Sequence, residues 1–72
     1  MYFKKLVEVI EECKSEMNPR VYRTMLAKSL VMYFAQHYSI KSEIQYQVNL
    51  KLFEKGLEHI SYMFVTDTLK EE

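Results

Sequence analysis

The chain has 72 residues, of which 49% are hydrophobic and 28% charged, and its ten basic and ten acidic side chains give a formal net charge of zero. These proportions are typical of a globular protein and exclude a disordered chain. They also lack the excess of basic residues that nucleic-acid binding usually requires. A chain this short buries only about 60% of the surface that its unfolded form exposes, so a disulfide, a metal or a partner usually supplements the core. We expect one helical domain over residues 1–72.

The few residue types suited to metal binding or catalysis are scattered along the chain. Cys13 is the only cysteine, so no intrachain disulfide forms, and its apolar neighbours predict a place in the core. His37 and His59 share no local ligand spacing, and the single glycine, Gly56, excludes a phosphate-binding loop. We therefore expect no cofactor, no metal and no enzymatic activity. One unpaired thiol and no apolar run near the ~20 residues that a bilayer requires predict a cytoplasmic protein without a membrane partner.

One glycine and one proline leave few turns, which favours an all-α protein over a sandwich or barrel. The first predicted helix, 2–16, repeats apolar residues at helical spacing from Phe3 onward. Asn18 and Pro19 then predict an N-cap and the first residue of a second helix, 19–37.

The second predicted helix is apolar almost all the way round, with only a narrow polar strip through Thr24 and Lys28. A helix with this pattern must be covered on every side. We expect its own domain to cover one side and another chain to cover the other.

The third predicted helix, 42–68, starts with a capping-box pattern in which Ser42 is the cap and Gln45 its partner. Apolar residues then recur at alternating spacings of four and three, from Tyr46 to Phe64. Because this seam stays in phase across Gly56, we expect one long helix. The alternatives are a helix that ends at a C′ glycine and is followed by a short fourth helix, and a terminal strand within 60–68.

The resulting prediction is a small three-helix antiparallel bundle that forms a symmetric homodimer, with the second helix at its centre. The dimer interface would use the outer face of the second helix or the seam of the third. The expected core is Phe3, Leu6, Ile10, Leu26, Leu30, Phe34, Val48, Leu52, Phe53, Leu57 and Ile60.

The functional prediction is a small non-enzymatic interaction module, regulatory or inhibitory, of the kind that phages and plasmids encode. It would bind a larger protein through an apolar helical face, because tyrosine and methionine are over-used at binding surfaces. Tyr22, Met25 and Tyr33 are the preferred anchors. The expected interface residues are Tyr22, Met25, Met32, Tyr33, Tyr46, Leu50 and Phe53.

The alternative is a dimeric, helix-turn-helix-like DNA-binding regulator of transcription. The segment 17–42 has four basic residues and no acidic one, and these would contact phosphates. The third helix would then read bases through amides such as Gln45 and Asn49. The candidate phosphate-binding residues are Arg20, Arg23, Lys28 and Lys41.

Overall fold

The computed structural model describes residues 2–70, and Met1, Glu71 and Glu72 lie outside the described part. The described residues form helices only, which confirms the all-α prediction, but there are four helices rather than three. They are α1 (Tyr2–Glu12), α2 (Pro19–Ala35), α3 (Lys41–Glu54) and α4 (Tyr62–Lys70), with a short 3-10 turn at Lys14–Glu16 after α1.

The start of α2 confirms the prediction made from Asn18 and Pro19. The Asn18 side-chain oxygen accepts a hydrogen bond of 2.9 Å from the backbone N–H of Arg20, and Pro19 is the first helical residue. The first helix, however, ends at Glu12 and not at residue 16. Cys13 therefore lies in the following turn with an exposed side chain, and the prediction that it is a core residue is wrong.

Helix α2 is the central element, as predicted. It packs against α1, α3 and α4. Because three helices of the same chain cover it, its apolar surface no longer requires a second chain for cover. Val21 and Met25 are the large apolar residues of α2 that stay exposed. The buried residues of α2 are Tyr22, Leu26, Ala27, Ser29, Leu30, Val31 and Phe34.

The predicted capping box at the start of α3 is wrong. The helix begins at Lys41, the cap position is Ile40, and no side chain caps the first turn. The Gln45 side chain donates instead to the backbone carbonyl of Ile60, 3.2 Å away. A contact distant in sequence has therefore replaced the local one.

The third helix ends at Glu54, so the predicted helix over 42–68 is wrong and the alternative with a short fourth helix is correct. Gly56 has a φ of 70°, in the left-handed region that glycine adopts without strain. The N–H of Leu57 donates to the carbonyl of Leu52, and that of Gly56 to the carbonyl of Phe53. These two bonds are a Schellman motif, which terminates a helix at its C′ glycine. The strand considered within 60–68 does not form, since 62–70 is helical.

The core follows the prediction except at two residues of α1 and along the seam of the third helix. Phe53 was expected inside but is 71% exposed, because the opposite side of α3, with Ile44, Val48 and Leu52, packs inward. Phe3, Leu6 and Leu57 are only half-buried. The buried apolar residues are Ile10, Tyr22, Leu26, Ala27, Leu30, Val31, Phe34, Ile44, Val48, Leu52, Ile60 and Val65.

Gly56→Ala tests the helix break through the sign of its effect. In a continuous helix, alanine in place of glycine stabilises by about 1 kcal/mol. At a φ of 70° it destabilises by about 1 kcal/mol, and solely through the backbone, since an added Cβ would meet nothing within 4 Å. We expect urea denaturation to show this loss in the free energy of unfolding for Gly56→Ala, and a smaller loss for Gly56→Asn. A gain in stability for Gly56→Ala would contradict the helix break.

Candidate protein-interaction site

Three of the predicted interface residues form one exposed apolar row on α3. Tyr46 is 57% exposed, Leu50 40% and Phe53 71%. Spacings of four and three residues place them on the same side of the helix, over about two turns. This row, called the α3 strip below, faces away from the side of α3 that packs against α2.

A groove of about 360 Å³ runs beside the α3 strip. One wall is the strip itself, and the rings of Phe53 and His59 meet edge to face with centroids 6.5 Å apart. The remaining lining is polar and contains no Lys, Arg, Asp or Glu, so the groove combines an apolar wall with hydrogen-bonding groups. Its lining residues are Ser42, Gln45, Tyr46, Asn49, Leu50, Phe53 and His59.

The side of the groove that contains His59 belongs to the connection between α3 and α4 (residues 55–61), and Asn49 holds it in place. The Asn49 side chain accepts a hydrogen bond of 2.8 Å from the Ile60 N–H and donates one of 3.2 Å to the Ile60 carbonyl. Gln45 donates a second bond to that carbonyl. One residue of an irregular segment thus has its backbone groups satisfied by α3 side chains.

Arg23, on α2, holds the preceding two residues of the connection. Its guanidinium donates to the carbonyls of Glu58, at 3.1 Å, and His59, at 2.7 Å. Ser61 then caps α4 by accepting a hydrogen bond of 3.1 Å from the N–H of Phe64. The wall of the groove is therefore fixed to α2 and α3.

Tyr22, a preferred anchor in the sequence prediction, lies in the core instead of at the surface, with 4% of its area exposed. Its hydroxyl donates a hydrogen bond to the Glu11 carboxylate, which also forms an ion pair of 2.7 Å with Lys55. Burial, followed by the hydrogen bond to Glu11 and its negative charge, raises the pKa of Tyr22 to about 12. Tyr22 therefore connects α1 to α2 and offers no surface to a partner.

Of the other α2 candidates, Met25 alone is exposed. Met25 is 43% exposed, whereas Met32 and Tyr33 are half-buried. The Tyr33 ring contacts Phe34 and His37 edge to face, with centroids 5.1 and 5.3 Å away. Of the predicted interface, the structure brings Tyr46, Leu50 and Phe53 together and leaves Met25 on a different helix.

The four basic residues proposed for DNA differ in their surroundings. Arg20 is exposed, and Lys28 and Lys41 are half-buried. The Arg23 guanidinium donates hydrogen bonds to backbone carbonyls of the connection between α3 and α4. The amides of Gln45 and Asn49, which would read bases, contact Ile60, and Ile44 beside them is buried.

The described residues contain no group of three His, Cys, Asp or Glu side chains that could hold a metal ion. Within the same residues, no helix is both long and apolar enough to cross a membrane.

Comparison with known protein families, with curated proteins and with solved structures finds no match to this chain.

The polar half of the groove was not predicted from the sequence. Ser42 was assigned to a cap, and Gln45 and Asn49 to base recognition. The only local signal was the spacing of four between these two amides, which places them on one side of a helix. His59 gave no signal, because its position depends on the turn at Gly56.

Asn49→Ala tests the attachment of the connection. It leaves the Ile60 N–H without its acceptor, so we expect a loss of about 1–3 kcal/mol in the free energy of unfolding and faster exchange of the Ile60 amide hydrogen. Gln47→Ala is the matched control, since the Gln47 side chain donates its hydrogen bond to Glu43 on the same helix, at 3.4 Å. Unchanged Ile60 exchange in Asn49→Ala would contradict the attachment.

The Glu11 carboxylate predicts a loss of stability in acid. Burial alone would raise its pKa, but hydrogen bonds from Lys55 and Tyr22, and the charges of Lys55 and Lys14, bring it below its ordinary 4.5. The unfolded state therefore binds more protons, and stability present above pH 4.5 disappears as the pH falls through the folded pKa.

We expect urea denaturation at several pH values to show a smaller loss for Glu11→Gln than for the wild-type chain below pH 4.5. Glu12→Gln, at the neighbouring exposed position, is the control and should keep the wild-type dependence. If the free energy of unfolding changes equally steeply with pH in all three proteins, the role of Glu11 is contradicted.

Proposed function

We propose that this protein is a small non-enzymatic interaction module, regulatory or inhibitory, that binds a larger protein through the α3 strip and its groove. The observation that carries the proposal is the exposure of Tyr46, Leu50 and Phe53 in one row. Contiguous apolar surface is uncommon on soluble monomers away from binding sites. Covering each of these side chains stabilises a complex by about 1–2 kcal/mol.

The surroundings of the α3 strip also support this function. Interface anchors are often aromatic side chains beside a pocket, with polar groups around them. Tyr46 and Phe53 supply the aromatic surface, and the amides of Gln45 and Asn49 supply the polar groups. Because Arg23 and Asn49 fix the far wall, this surface is largely pre-formed.

The DNA-binding regulator stays the alternative, and no contact in the described residues favours it. Arg23, Gln45 and Asn49 already bond to the connection between α3 and α4. The symmetric homodimer also stays a prediction. Of the two surfaces considered for it, the α3 strip has three exposed large apolar residues, and the outer face of α2 has two, Val21 and Met25.

The test is capture from a lysate of the source cells by the immobilised protein, after nuclease treatment. We expect one stoichiometric protein bound by the wild-type chain and lost with Leu50→Asp. Met25→Asp is the matched control, because Met25 is 43% and Leu50 40% exposed, on different helices. Circular dichroism and thermal unfolding are measured first, to check that both variants fold.

Capture that Leu50→Asp leaves intact would contradict the proposed surface. Loss of all bound protein on nuclease treatment, with a gel shift that weakens by orders of magnitude between ~50 and ~200 mM salt, would support the DNA-binding alternative. Arg20→Ala should then remove the shift.

A further inference from the structure

The two edges of the α3 strip differ in charge. At about 100° per residue, Ser42 and Asn49 lie on the edge beside the groove, whereas Glu43 and Glu54 lie beside Leu50 on the opposite edge. Glu54 is exposed and Glu43 half-buried. The strip is therefore bordered by neutral polar groups on one side and by carboxylates on the other.

Among residues 2–70, few lysine or arginine side chains are placed to neutralise this acidic edge. Lys55 is engaged with Glu11, and Lys41 begins α3 and is half-buried. Lys51 approaches Glu54 only to 4.0 Å, with both side chains at least half exposed, so the pair is loose. The imbalance extends over the whole segment 43–72, whose acidic residues outnumber basic ones by six to three.

We propose that the α3 strip and its groove bind a basic amphipathic helix of another protein, an inference that rests on the proposed function. Apolar residues of that helix, repeating every three or four positions, cover Tyr46, Leu50 and Phe53. One of them enters the groove, and lysine or arginine side chains on one flank meet Glu43 and Glu54.

A helix fits this surface because the strip is itself one straight helical row of about two turns, the pattern that pairs with a second apolar row. The groove, at about 360 Å³, has room for a large apolar side chain. The charge of the partner follows from the acidic edge, since complementary charge speeds association and disfavours acidic competitors.

A second copy of this chain fits the same surface less well. In an antiparallel pair of α3 strips centred on Leu50, the acidic edges of the two copies face each other. Glu43 of one copy then lies near Glu54 of the other. Like charges facing each other across an interface destabilise it. The acidic edge therefore favours a different, basic chain as the occupant.

The test is selection from a displayed library of peptides of roughly 20 residues, a length at which isolated helices can form, against the immobilised full chain. We expect the recovered peptides to share helical apolar spacing and a net positive charge. Synthetic versions, measured by fluorescence anisotropy, should bind Leu50→Asp at least about tenfold more weakly. They should bind the double variant Glu43→Gln, Glu54→Gln about three- to tenfold more weakly, and Met25→Asp as the wild-type chain does.

Several outcomes would overturn the inference: no recovered peptide, enrichment of neutral or acidic peptides, or binding that the double variant leaves unchanged. Self-association of the wild-type chain in sedimentation equilibrium that Leu50→Asp abolishes would assign the strip to a second copy and also overturn it. A different result contradicts the proposed function itself: capture of the lysate protein by Leu50→Asp as well as by the wild-type chain. A captured protein that depends on Leu50, together with peptides lacking positive charge, overturns only the basic helix.

Discussion

The left-handed turn at Gly56 decides which apolar residues of the C-terminal half face inward. A helix continuing from 42 to 68 would extend about 40 Å and carry its later apolar residues away from α2. Because α3 stops at Glu54, Leu57 and Ile60 turn back onto the core, and Val65 of α4 follows them with no exposed surface. The apolar residues left facing solvent on α3 are those on the opposite side, Tyr46, Leu50 and Phe53.

A tight turn followed by an irregular segment leaves backbone groups that need partners, and polar side chains of α2 and α3 supply them. Arg23 bonds to two successive carbonyls, and Asn49 bonds to both backbone groups of Ile60. These side chains look available for ligands when only the sequence is considered. Their contacts explain how a chain with one glycine and no disulfide can hold an irregular connection against its core.

Local patterns predicted much of the fold. Asn18 and Pro19 identified the start of α2, and the apolar character of α2 predicted its central place, because both features depend on neighbours in sequence. The phase of the seam across Gly56 was misleading. The periodic pattern shows which residues are apolar at helical spacing. It does not show whether the chain turns, and here a turn after Glu54 brings Ile60 back onto the core.

The candidate site was only partly predictable, for the same physical reason. The seam identified Tyr46, Leu50 and Phe53 as one row, but only the fold shows that this row is the exposed side of α3. Tyr22 is of a residue type that often anchors interfaces, yet it is buried in the core and its hydroxyl bonds to Glu11 on another helix. Contacts between residues distant in sequence decide which apolar residues are buried and which are exposed. A hydrophobic pattern alone does not predict those contacts.

The most direct test of this account is backbone NMR across residues 54–62. We predict a loss of helical Cα shifts after Glu54, a positive φ at Gly56, and nuclear Overhauser contacts between the Asn49 side-chain amide and the Ile60 N–H. Unbroken helical shifts from 54 to 62, with no contact between Asn49 and Ile60, would contradict it, because the α3 strip would then be half of a longer seam.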